Sequence, residues 1–126
     1  MGNKAKVMVV EDNPANLQLF LHVLNAGGYD CIYVTRGEDA FEMARKEKPD
    51  IILLDIQLPE MDGFTVNRIL KSHNDTKHLK VIALTAHAMK GDRETFLKEG
   101  FDGYIPKPIK VKEFLDDIEG FIQKSH

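Results

Sequence analysis

Long apolar runs are missing from this chain of 126 residues. No stretch approaches the ~20 consecutive apolar residues that span a bilayer, and nothing at the start has the charged, apolar and small-residue succession of a secretion signal. Cysteine is nearly absent: Cys31 stands alone. An internal disulfide is thereby excluded, and the usage is that of a reducing compartment, the cytoplasm. Cys31 opens a predicted strand, where a thiol serves as a small packed side chain rather than a redox group. There is no surplus of positive charge either. A net charge of −3 and a pI near 5.9 argue against non-specific attraction to nucleic acid or membranes. The five histidines are scattered, none paired with another at ligand spacing on a helix face, so no zinc signature is present. Repeats, linkers and low-complexity segments are also lacking. Residues 1–126 read as a single domain with no effector domain, a size that one hydrophobic core can serve.

What is present is organised around Ile51-Ile52-Leu53-Leu54-Asp55. Four branched aliphatics in succession lack the alternation of a half-wet strand, so both faces should be covered, as in the centre of a parallel sheet. The run ends on a carboxylate and gives way to Ile56-Gln57-Leu58-Pro59-Glu60-Met61-Asp62-Gly63, a loop rich in turn formers. An acid at the carboxyl end of such a strand lies where open α/β folds place their ligand crevice. Asp55 is the leading candidate for chemistry.

The rest of the chain alternates in the same way. Residues 6–10 form a strand that ends on Glu11-Asp12, and Asn13-Pro14 reads as an N-cap followed by proline at the first helical position. The helix that follows carries Leu17, Phe20, Leu21 and Leu24 inward and stops at Gly27-Gly28. Residues 31–34 form a less apolar strand, nearer an edge, and 38–48 a short helix with Ala40, Phe41 and Ala44 inward, ended by Pro49. After the Asp55 strand come a helix over 63–72 with Val66, Ile69 and Leu70 as its stripe, and a buried strand over 80–84 ending at Thr85. A helix over 88–99 with a thin apolar face of Phe96 and Leu97 follows, then a short strand at 103–105 and Pro106-Lys107-Pro108. A last helix holds Val111, Phe114, Leu115, Ile118 and Ile122. Alternation of this kind predicts an α/β fold, a parallel sheet with helices on both faces joined by right-handed crossovers.

Parallel strands aim their carboxyl ends at one edge, so Glu11, Asp12, Asp55, Thr85 and Lys107 should converge there. Acids and threonines also mark ordinary strand ends, but polar groups at corresponding positions of four units are harder to dismiss. Two like charges ~4 Å apart repel by roughly 4 kcal/mol at an effective dielectric near 20, so a cation or raised pKa values must relieve the cluster. Carboxylates with a backbone carbonyl, and no His or Cys nearby in sequence, suit a hard ion: Mg²⁺ best, with Mn²⁺ able to substitute. A divalent ion beside a carboxylate and a lysine is the equipment of phosphoryl transfer, with aspartate itself able to accept the group.

Glu11-Asp12, Asp55, Leu58-Pro59-Glu60-Met61-Asp62-Gly63, Thr85-Ala86 and Lys107-Pro108 together resemble the response-regulator receiver domain of two-component signalling. The stretches 55–60 and 88–92 are most similar to those of stand-alone regulators, although receivers of hybrid histidine kinases share such loops. The resemblance implies a flavodoxin-like (βα)5 fold of strand order 2-1-3-4-5. It implies Asp55 as phosphoacceptor and Mg²⁺ held by Asp12, Asp55 and the carbonyl of Gln57, with Glu11 acting through water. It further implies Lys107 as the phosphate-binding lysine, Thr85 and Tyr104 as a switch pair, and a cis peptide before Pro108. The phosphodonor would be a histidine kinase or histidine phosphotransfer protein, and the output a downstream protein bound through the fourth helix, fifth strand and fifth helix. Enzymatic activity would be confined to self-phosphorylation from a donor and slow autodephosphorylation. Gln57 and His87 are positions where such domains differ.

Other features have plainer readings beside the functional ones. Tyr104 could be simple half-buried packing. Ala15, Leu19 and His22 lie opposite the core stripe of the first helix; Leu19 is expected to be exposed, which is ordinary for a single leucine, and the sharper reading is a patch that docks the four-helix surface of a phosphodonor. Residues 71–78 read as a solvated loop. Lys90, Arg93, Lys98, Lys110 and Lys112 put positive charge near the output region, by default a solvated surface. A dehalogenase-type aspartate phosphohydrolase would need a second Asp two residues after the nucleophile, where Gln57 stands. A flavin or nucleotide binder would need a Gly- or Ser-rich cradle after the first strand, where Glu11-Asp12-Asn13-Pro14 repels bare phosphate.

Overall fold

The computed structural model describes residues 5–86 and 92–123, with the side chains of Asp92 and Arg93 outside that description. Five strands, β1 (Lys6–Val10), β2 (Asp30–Val34), β3 (Ile51–Asp55), β4 (Lys80–Thr85) and β5 (Gly103–Pro106), form one sheet of order β2-β1-β3-β4-β5. All four neighbouring pairs are parallel. The helices are α1 (Pro14–Ala26), α2 (Ala40–Glu47), α3 (Gly63–Ser72), α4 (Asp92–Lys98) and α5 (Val111–Gln123).

The central strand earns its position from composition. Ile51, Ile52, Leu53 and Leu54 are fully buried, and alternate residues feed two separate cores. Val7, Val9, Ile51, Leu53, Ile82 and Leu84 pack against Leu17, Phe20 and Leu24 of α1 and Phe114 and Ile118 of α5. Met8, Val10, Ile52, Leu54, Val81 and Ala83 pack against Ala40 and Ala44 of α2, Val66 and Leu70 of α3, and Phe96 of α4. The fold is thus the flavodoxin-like (βα)5 arrangement that the sequence predicts, with β2 at an edge.

Capping side chains close two helix starts, the first of them as expected. The Asn13 side chain accepts from the Asn16 N–H at 3.0 Å with Pro14 next in line, and Asp62 accepts from the Thr65 N–H at 2.9 Å. Several boundaries differ from expectation. β2 starts at Asp30, and the predicted 38–48 helix is a 3-10 turn (Gly37–Asp39) followed by α2. Its chain reverses at Lys48, which adopts a left-handed φ of 48° before Pro49. α4 occupies Asp92–Lys98, and 88–91 of its expected range lie outside the described residues.

The expected inward faces need correcting too. Leu97 is 48% exposed and Val111 52% exposed, whereas Leu21, Ile69, Leu115 and Ile122 are half-buried. Residues 71–78 are not merely a solvated loop. Thr76 is buried and donates to the Leu70 carbonyl at 2.6 Å, while Lys71 reaches the Leu79 carbonyl at 3.0 Å and Asp102 at 2.9 Å. Cys31 is half-buried, and burial, assisted by the charge of Asp30, pushes its thiol up to about 11. No helix among the described residues is long and apolar enough to cross a membrane.

Candidate functional site

The carboxyl ends of β1, β3, β4 and β5 meet at one edge of the sheet, and of the polar residues expected there Glu11, Asp12, Asp55 and Lys107 are brought together. Glu11 follows the last residue of β1, and its N–H is tied to the Val34 carbonyl at 3.2 Å. Asp55 is the last residue of β3, its own register partner being Leu84. Glu11 is 1% exposed and Asp55 5% exposed, while Asp12 faces solvent. One carboxylate oxygen from each of Glu11, Asp12 and Asp55 lies within 4.8 Å of the others.

Lys107 bridges the two buried acids. Its Nζ lies 2.9 Å from Glu11 Oε1 and 3.2 Å from Asp55 Oδ2. The remaining oxygens are also engaged: Glu11 Oε2 accepts from the Asn13 N–H at 3.2 Å and Asp55 Oδ1 from the Gln57 N–H at 3.0 Å. The Lys107 backbone is fixed by its N–H donating to the Thr85 carbonyl at 2.8 Å. The Lys107–Pro108 peptide is cis.

The electrostatics follow from this burial. Desolvation raises the Glu11 pKa above the ordinary carboxylate value; the bond from Lys107 opposes the shift and the nearby charge of Asp55 adds to it. Burial also works against the Lys107 charge, but the hydrogen bond to Glu11 and the charges of Asp55 and Glu11 outweigh it, so its pKa is raised. The ammonium therefore stays protonated. With all three acids ionised, one lysine leaves two negative charges at the edge, which a divalent cation would cancel. The donors are all carboxylate oxygens, one of them solvent-facing, and that set suits a hard ion that keeps water ligands.

The loop after β3 is packed tightly under Asp55. Gly63 donates its N–H to the Ile56 carbonyl at 2.9 Å. A Cβ at Gly63 would lie 2.7 Å from the Asp55 carbonyl oxygen and 2.7 Å from Ile56 Cα, so only glycine lets α3 start so close to the end of β3. Glu60, between them, takes a left-handed φ of 65°.

Thr85 ends β4 and is 4% exposed. Because Asp55 is paired with Leu84, strand alternation turns Thr85 to the opposite face from Asp55. That is the face of Ala83, whose register partner is Tyr104. Tyr104 is half-buried there with its ring centroid 5.6 Å from that of Phe96. Gln57 is exposed, and His87 lies outside the described residues.

The sequence residues 7–119 match the family model described as the response regulator receiver domain. The chain belongs to that family. It is a receiver domain of two-component signalling, not a member of a conventional enzyme family. It is 45% identical over 116 residues to the polar-differentiation response regulator DivK of Brucella anthropi, covering 92% of this chain and 94% of that protein. The DivK protein of Brucella ovis matches to the same extent. Among solved structures, the receiver domain of a sensor histidine kinase from Pseudomonas aeruginosa PAO1 superposes with a TM-score of 0.86 at 33% identity, covering 95% of this chain and 98% of that one. That structure has a magnesium ion coordinated in the active site cleft. The chemotaxis response regulator CheY4 of Vibrio cholerae, at 24% identity, shares the fold with a TM-score of 0.87 over 94% of this chain and 99% of its own. Receivers interact with histidine kinases or phosphotransfer proteins.

Some residues escaped the sequence reading. Buried Asn67 donates from Nδ2 to the Glu99 carbonyl at 3.0 Å, and Arg68 pairs with the Glu99 carboxylate at 2.9 Å. A polar residue inside an apolar stripe was the available signal. Phe64 and Phe101 join Phe96 in an aromatic cluster that no local pattern connects. The positive patch expected near the output region is thinner than its residue count suggests. Lys112 pairs with Asp116 at 3.0 Å and Lys110 approaches Glu113 at 4.0 Å. Lys98 is exposed, while Lys90 and the Arg93 side chain lie outside the described residues.

Proposed function

We propose that Asp55 accepts a phosphoryl group from a histidine kinase or histidine phosphotransfer protein and that the change is read through protein contacts. The supporting observation is a buried Asp55 carboxylate sharing Lys107 with buried Glu11, beside the exposed carboxylate of Asp12. An Asp55 oxygen attacks phosphorus; the P–N bond of phosphohistidine breaks and its electron pair stays on the imidazole. With acetyl phosphate the P–O bond breaks instead and acetate leaves. Lys107 turns its charge to the new phosphoryl oxygens, and the Thr85 hydroxyl donates to one of them. Drawing Thr85 toward the phosphate opens space for Tyr104 to move inward, a two-state change driven by local charge.

Asp12, Asp55 and the Gln57 carbonyl would hold Mg²⁺, with Glu11 acting through water and Mn²⁺ able to substitute. Bound there, the ion would neutralise charge on the transferred group. Autodephosphorylation is slow and is the only other chemistry. The domain works in the cytoplasm as a receiver, away from nucleic acid and membrane. Leu19, 44% exposed on α1 with Ala15 and His22 also exposed, supports docking of the donor on that helix. α4, β5 and α5 present the surface for a downstream protein.

Incubation with acetyl phosphate and Mg²⁺, followed by hydroxylamine, converts an acyl phosphate into a hydroxamate that peptide mass spectrometry can place. Hydroxamate at Asp55 supports the proposal; modification at another acid, or none, overturns it.

A further inference from the structure

The described residues of α4 number seven, and a helix of that length needs tertiary support. Among its described side chains, 94–98, only Phe96 is buried, at 5% exposure. Its ring touches aromatics from three other places in the chain. Phe64 of α3 stacks on it at 5.9 Å, Phe101 of the α4–β5 turn meets it edge-on at 5.8 Å, and Tyr104 of β5 tilts against it at 5.6 Å. Phe64 and Phe101 also contact each other at 5.8 Å. The carboxyl end of α4 is held separately, through the bonds of Asn67 and Arg68 to Glu99. Polar contacts just past one end and one buried aromatic side chain thus hold the described part of the helix to its neighbours.

Resting on the switch reading of Thr85 and Tyr104, we infer that Phe96 is the residue that converts the position of the Tyr104 ring into the position of α4. A Tyr104 ring that leaves its place removes one wall of the aromatic cage, and Phe96, the buried α4 side chain packed against that ring, follows it. Phe64 and Phe101 hold the other walls, so the displacement pivots about the Glu99 contacts rather than freeing the helix. Phe64 has a different role: it lies one residue after Gly63 and secures the cage to the loop beneath Asp55.

The test uses the 126-residue protein with acetyl phosphate and Mg²⁺ as the probe. Fluorine NMR of fluorotyrosine-labelled protein, assigned through Tyr104→Phe, reads the ring; amide hydrogen exchange over 94–99 reads α4. In the wild type, phosphorylation should shift the Tyr104 resonance and change exchange over 94–99 by about three- to tenfold. In Phe96→Leu, or Phe96→Met should the first variant fold poorly, Asp55 is still phosphorylated and the Tyr104 resonance still shifts, but the exchange response falls below about twofold. Phe64→Leu, which leaves the Phe96–Tyr104 contact in place, keeps the wild-type response. A full exchange response in the Phe96 variants, or a wild-type Tyr104 shift without one, overturns the inference alone. A phosphorylated wild type whose Tyr104 resonance does not move overturns the switch reading, and this inference with it.

Discussion

Lys107→Met removes a charge while keeping a long apolar stem at the junction of Glu11 and Asp55. At 2.9 and 3.2 Å, each ion pair of Lys107 corresponds to roughly 5 kcal/mol of attraction at an effective dielectric of 20. The two acids, up to 4.8 Å apart, repel by about 3.5 kcal/mol on the same scale. Desolvation offsets much of the attraction, so the net cost of stranding buried carboxylates is about 3–5 kcal/mol, a large share of the ~5–15 kcal/mol available to a domain. Glu11 relieves part of it by holding a proton, since burial already raises its pKa. A carboxyl raised in the folded state favours folding at low pH and loses that advantage as pH rises through its folded value, so the deficit widens with pH. Urea unfolding followed by circular dichroism, in EDTA and in Mg²⁺, measures it. Mg²⁺ at a hundred times its Kd should return about 2.7 kcal/mol to the variant, which should also bind the ion more tightly than the wild type because a competing positive charge is gone. A loss below about 1 kcal/mol in EDTA, or an equal loss in both conditions, would refute the reasoning.

Gly63→Ala places a Cβ against the Asp55 carbonyl and Ile56 Cα, backbone atoms that move only with the strand; it should cost about 1–3 kcal/mol in urea unfolding and slow acetyl phosphate labelling, and unchanged stability would contradict the packing argument. Tyr29, 4% exposed, donates to Glu119 at 2.9 Å, and burial, followed by that bond, raises its pKa to about 12. The stability advantage of wild type over Tyr29→Phe, about 1–2 kcal/mol, should be full below the ordinary tyrosine value near 10 and vanish as pH rises through about 12; an advantage that grows with pH would contradict it. Leu19→Asp should impair phosphotransfer from the partner kinase and spare labelling by acetyl phosphate. Equal loss in both assays removes the docking role of α1.

The strands and the acid cluster were legible because their signals are local. An unbroken aliphatic run ending at Asp55, and Glu11-Asp12 after another, fix both burial and chain direction, and parallel pairing then gathers the ends. Leu97 and Val111 were misread because helical spacing identifies a stripe without saying how much of it the sheet covers. α4 is short enough for one buried described side chain, and Val111 is the first residue of α5, where the stripe begins before it is covered. Thr76, Lys71 and Asn67 look like surface residues because their partners, the Leu70 carbonyl, Asp102 and the Glu99 carbonyl, are supplied by the folded chain. The same holds for the Glu11–Lys107 pair, separated by 96 positions. The resemblance to receivers placed both residues at the site, but their mutual bond is visible only in three dimensions.

Intact-mass measurement after incubation with acetyl phosphate tests the central claim most directly, with wild type in Mg²⁺, wild type in EDTA and Asp55→Asn in Mg²⁺ compared side by side. The account predicts one added phosphoryl group in the first sample and none in the other two. A gain of equal size in Asp55→Asn, or one indifferent to EDTA, would contradict it.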